Sequence, residues 1–167
     1  MLKEKRIHQI YQEVREEFMF PPTALVLTTE PSSSGASFYI INRRVFLDIS
    51  KIKTEKQCRY LLTHEIGHTE YAPETMQNHF LFIDDCMKEH KLSASTSALL
   101  LNVSSDVLVN WQAKFKHKCD IAGHTRHVLK SKGFQKALKD SKMHQYLTVY
   151  YAAISGDSTM FGDYGQD

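Results

Sequence analysis

His64-Glu65-Ile66-Gly67-His68 is the stretch whose reading decides this chain, and the residues before it read as the start of a helix. Thr54-Glu55-Lys56-Gln57 has the form of a capping box, with Gln57 placed to reach back to the N-cap amide. Cys58, Leu61, Leu62 and Ile66 follow with the apolar spacing of a buried helix, and Pro73 closes the segment. Four residues of α-helix turn about 400° and rise about 6 Å. His64 and His68 therefore leave one face a turn apart, and both can meet one Zn²⁺ at about 2.0 Å. Glu65 is rotated off that line, where it can reach water beside the metal as a general base without being a ligand. The competing reading is a core helix whose two histidines bond to backbone. It leaves Glu65 among buried residues with no reason to be there.

The 167 residues suffice for one domain with a sizeable core, expected over 1–154, with 155–167 as a flexible tail holding Gly156, Gly162 and Gly165. A formal charge of +2 selects no partner. Cys58, Cys86 and Cys119 are odd in number and none forms C-x-x-C, which argues against a disulfide framework and a cysteine zinc site. That usage fits a reducing compartment. Met1 opens into Lys3-Glu4-Lys5-Arg6 without an apolar leader, and no run is long enough to span a bilayer. The expected location is the cytoplasm, with no membrane partner.

Working outward, Ile7, Ile10, Tyr11, Val14 and Phe18 make one stripe of a first helix, which Phe20-Pro21-Pro22 ends. Ala24–Thr29 reads as a strand and residues 30–37 as a loop. Phe38–Ile41 and Val45–Ile49 are two more strands, turned at Asn42-Arg43 into an antiparallel hairpin. Met76–His90 is a mixed segment. Ser93 or Ser95 can cap the next helix, whose Leu99, Leu100, Leu101, Val103, Val107, Leu108 and Val109 predict burial on most sides. Two further helices are expected between Trp111 and Ile154, with Ser141 capping the last. The order is α+β: a small antiparallel or mixed sheet packed on the HEIGH helix, then a helical C-terminal half.

A catalytic zinc takes three protein ligands. The apolar helix holds three polar residues on one line at spacing four, Asn102, Asp106 and Asn110. A carboxylate left unpaired inside it would be costly, and binding zinc resolves the cost for Asp106. Pairing with a buried lysine would resolve it too. Asn102 and Asn110 suit support of the ligands better than ligation.

Arg59–His68 and Asn102–Asn110 together resemble the zincin metallopeptidases, in the branch whose second buried helix carries an acidic third ligand within D-x-x-x-N. The resemblance spans roughly Val45 to Trp111. It implies a zincin-like fold, a zinc-dependent peptidase, His64, His68 and Asp106 as ligands, and Glu65 as general base. Metzincins place a glycine and a third histidine where this chain has Tyr71 and Glu74, so Glu74 ranks second as third ligand and His79 lies further out. Peptide deformylases need an upstream cysteine in a glycine-rich setting that Cys58 lacks.

His124, His127, Tyr146, Tyr150 and Tyr151 are candidates to stabilise an oxyanion, though each also reads as packing or surface. The stretch 114–142 is locally basic, with nine Lys and Arg against Asp120 and Asp140. It reads as a solvated helical face or, more sharply, as a surface for an acidic partner such as nucleic acid. The expected partner is a peptide or protein substrate. The alternative is a metal-binding regulatory module without proteolytic activity.

Overall fold

The structure, a computed structural model, describes residues 2–21, 23–29, 38–41, 44–71, 76–123 and 142–156. The chain is mostly helical with a small sheet. Helix α1 (Glu4–Glu17) leads to β1 (Ala24–Thr28), β2 (Phe38–Ile41) and β3 (Arg44–Asp48). A 3₁₀ turn (Ile49–Lys51) then enters α2 (Glu55–Tyr71), followed by α3 (Met76–His90), α4 (Ala94–Phe115) and α5 (Lys142–Ser155). Among the described residues, no helix is long and apolar enough to cross a membrane.

The sheet is mixed, in the order β1-β3-β2. β2 and β3 form the expected antiparallel pair, with Ile40 opposite Val45. β1 pairs with β3 in parallel, Leu25 beside Val45 and Leu27 beside Leu47, so a purely antiparallel sheet is ruled out. The stretch between β1 and β2 is too long for a tight hairpin turn, the connection that would have held them antiparallel. β1 is free to take the other edge of β3.

The core lies where the α1 stripe (Ile7, Ile10, Tyr11, Val14) meets Val45 and Leu47 of β3 and Cys58, Leu62 and Ile66 of α2. That packing buries one side of α2 and leaves the opposite side to α4. The α2 entry is capped nearly as expected: Thr54 Oγ1 accepts the Gln57 amide at 3.1 Å. The return bond is displaced by one residue, with Gln57 Oε1 accepting from the Lys53 amide at 3.0 Å.

Two expectations change. Met76–His90 is one continuous helix, ended by Lys91 in the left-handed region (φ 55). Helix α4, which Ser93 caps at the Thr96 amide, is not buried on most sides. Its buried line is Ser97, Leu101, Ser105, Val109 and Ala113 at spacing four, while Leu99, Leu108, Trp111 and Phe115 are exposed. Small residues on that line let neighbouring helices approach closely, so the apolar bulk goes elsewhere. Ser141 and residues 157–167 of the expected tail lie outside the described residues, and Ser155 still belongs to α5.

Candidate metal centre

The site is two lines of side chains laid against each other. On α2, Tyr60, His64 and His68 follow at spacing four; on α4, Asn110, Asp106 and Asn102 run in the opposite order. Gly67 sets how near the helices come, since a Cβ there would stand 3.0 Å from Val109 Cγ1. A side chain at this position would push α4 away from the histidines.

At that distance three donor atoms converge. His64 Nε2 and His68 Nε2 are 3.2 Å apart. Asp106 Oδ1 lies 3.1 Å from His68 Nε2 and 3.6 Å from His64 Nε2. Tetrahedral zinc with bonds of about 2.0–2.1 Å requires ligand atoms about 3.3–3.4 Å from one another, so the three separations straddle the required value. Two neutral imidazoles and a carboxylate are a donor set that zinc accepts. All three side chains are partly open, at 15%, 26% and 29% exposure, so the set is reachable from solvent.

Asn110 orients the first of these donors. Its Oδ1 accepts from His64 Nδ1 at 2.9 Å and from the Tyr60 hydroxyl at 2.7 Å. An amide oxygen only accepts, so His64 carries its proton on Nδ1 and turns a bare Nε2 toward the other two donors. Burial, then the adjacent His68, push His64 well below the usual imidazole range, against the opposing pull of Asp106 and Asn110. The neutral, ligating form is the favoured one.

Glu65 does not join the donor set. It lines a cavity of about 440 Å³ together with His68, between α2, α3 and α4. Burial raises its carboxyl to about 7, with His68 opposing and Asp106 adding to the rise. His79 lines the same cavity from α3 and is not part of the triad. Asn102 lines it from α4.

The remaining sequence candidates fare differently. Glu74, His124 and His127 lie outside the described residues, and of Tyr146 only the place on α5 is described. The Tyr150 hydroxyl donates to the Val107 carbonyl at 2.9 Å, which engages its proton in packing α5 onto α4. Burial, with the Asp106 charge adding, pushes Tyr151 up to about 12. In the basic stretch, Lys114 bonds the Ile154 carbonyl and Lys116 the Tyr71 hydroxyl, while 124–141 lie outside the described residues. Sequence reasoning passed over Tyr60, although it stands on the line of His64 and His68 one turn earlier.

No protein-family model, curated protein sequence or solved structure matches the chain.

Proposed function

We propose that the chain is a zinc-dependent peptidase with a zincin-like arrangement, in which His64, His68 and Asp106 hold the metal and Glu65 is the general base. The observation that carries this reading is the convergence of two Nε2 atoms and one carboxylate oxygen within 3.1–3.6 Å, beside a half-buried glutamate. Zinc in such a site supplies Lewis acidity, polarising a carbonyl oxygen and lowering the pKa of water. The chain's own groups do the rest. Glu65, one residue and about 100° round the helix from His64, lines the cavity together with His68 and is not one of the three converging donors. There it takes the proton of the attacking water and returns it to the leaving amine. Asn110 keeps the His64 proton on Nδ1 throughout. Three free, buried cysteines suit a reducing compartment, and the cytoplasm is the location that goes with this reading.

The test is the metal content of the purified chain with chelator-sensitive cleavage of unfolded protein. About one zinc per chain with cleavage lost on chelation supports the peptidase. One zinc with no cleavage of any substrate would instead favour a metal-binding regulatory module. Iron in place of zinc would overturn the hydrolytic assignment, since two histidines and a carboxylate also hold non-haem iron.

A further inference from the structure

Helix α4 presents another face to solvent, on the far side from the metal donors. At about 100° per residue, Leu108, Trp111 and Phe115 fall on one stripe, about half a turn round from Asp106. All three are exposed, Trp111 at 53% and Phe115 at 45%. The two rings touch, with centroids 4.2 Å apart and planes tilted by 43°. We propose that this face binds single-stranded nucleic acid, with bases stacked on Trp111 and Phe115 and phosphates drawn to the lysines around them.

Charge points to this partner. From Trp111 to Cys119 the chain has Lys114, Lys116 and Lys118 and no acid. Residues 114–142 hold nine Lys and Arg against two Asp, whereas the rest of the chain holds twelve against seventeen acidic residues. A nearly neutral protein thus gathers its positive charge in one stretch, and the aromatic pair stands at the start of it. Glu17, Glu70 and Asp120, at this end of the molecule, face Arg59, Lys116 and Lys56. Lys114 Nζ donates to the Ile154 carbonyl and lies 5.3 Å from the centre of the Phe115 ring. The carbonyl engages one of three ammonium hydrogens, so a cation stays beside the ring, where the phosphate of a stacked base would pass.

The rings narrow the choice among acidic partners. An acidic polypeptide answers the charge but brings no flat face to Trp111 and Phe115. A nucleotide brings both, since every base has a π-face and a phosphate attached. Duplex bases are already stacked on one another, so a single strand fits better. A second copy would set its own lysines against Lys114, Lys116 and Lys118, and like charges repel. A bilayer takes up a broad apolar face, whereas this stripe is narrow, flanked by Gln112 and Lys114 and continued by Ser104.

Trp111 is the one tryptophan of the chain, so intrinsic fluorescence reads this face directly. The full chain is titrated with a labelled oligothymidylate of about a dozen nucleotides, following tryptophan emission and the anisotropy of the label. Both signals should saturate together, with emission quenched. Affinity should fall about tenfold or more between about 50 and 200 mM salt. Phe115→Leu keeps an apolar side chain but removes the ring; it should weaken binding about fivefold or more, with melting temperature and zinc content unchanged. Anisotropy that rises without quenching places the nucleic acid elsewhere and overturns the proposal, as does Phe115→Leu binding like the wild type. A glutamate peptide that quenches as well as the oligonucleotide would assign the face to an acidic protein. Anionic vesicles that shift the emission to the blue, with no quenching by the oligonucleotide, would assign it to lipid. A dimer in sedimentation that shields Trp111 from acrylamide would assign it to a second copy. Each of these three results overturns the proposal too.

Discussion

Asn110 Oδ1 and His64 Nδ1 stand 2.9 Å apart, and this bond joins the two helices that carry the candidate ligands. Asn110 is fully buried, and its Oδ1 takes a second hydrogen from Tyr60. Replacing it by Leu leaves the His64 proton free to sit on either nitrogen. Supports of this kind are typically worth 10–100-fold in metal affinity. Asn110→Leu should weaken zinc binding by about that factor, and Tyr60→Phe by less, in competition with a chromophoric chelator. Unchanged affinity in Asn110→Leu would show that the bond does not orient the ligand.

Asp106→Ala should abolish tight zinc binding, while Glu65→Gln should keep zinc and lose cleavage by a factor on the order of 10² or more. Both are measured as zinc per chain after dialysis and as rate. A Glu65→Gln protein that cleaves at the wild-type rate would remove Glu65 from the chemistry.

Gly67→Ala sets two effects against each other. Alanine is the better helix former by about 1 kcal/mol, yet its Cβ would stand 3.0 Å from the fully buried Val109. Overpacking costs about 1–3 kcal/mol, so the net change should be a loss of about 1 kcal/mol and of zinc affinity together. Val109→Ala in the same chain should restore both. A thermal melt and a zinc titration on the single and double variants decide it.

The metal-free protein should lose stability as pH rises through the titration of Glu65. Burial raises its carboxyl from its ordinary 4.5 to about 7, so between those values the folded chain holds more protons than the unfolded one. The contribution is fully present below about 4.5 and is lost as pH passes about 7. Glu65→Gln removes the group and should be more stable than wild type at pH 8 by on the order of 2 kcal/mol, as read by urea denaturation. Equal stability of the two proteins at pH 8 would contradict the burial of Glu65.

Cys58 should resist alkylation in the folded chain. It is fully buried, and burial pushes its thiol up to about 12 from 9.0. Iodoacetamide at pH 8 should label it orders of magnitude more slowly than in urea, as followed by mass spectrometry of the tryptic peptide.

Much of the site was legible because helical periodicity acts at short range. His64 and His68 share a face by spacing alone, and so do Asp106 and Asn110. What spacing could not state was that the two faces meet. That depends on Gly67 against Val109, a contact between residues far apart in the chain. Tyr60 obeys the same spacing but gains a role only once Asn110 is opposite. The Phe80–Ile83 run, contiguous and apolar, carries no periodicity of its own, and α3 was missed as a helix for that reason. The parallel place of β1 is likewise a matter of which edge of β3 remained open.

The division of labour among the helices has a mechanical result. The three donors sit on α2 and α4, whereas α3 gives the cavity His79 and Ile83 and gives the donor set nothing. The donor geometry is therefore set by α2 and α4 alone, while the shape of the cavity depends on α3 as well. A shift of α3 would widen or narrow the wall against a ligand without itself carrying a donor. Fit can adjust on one side of Glu65 while the other side stays rigid.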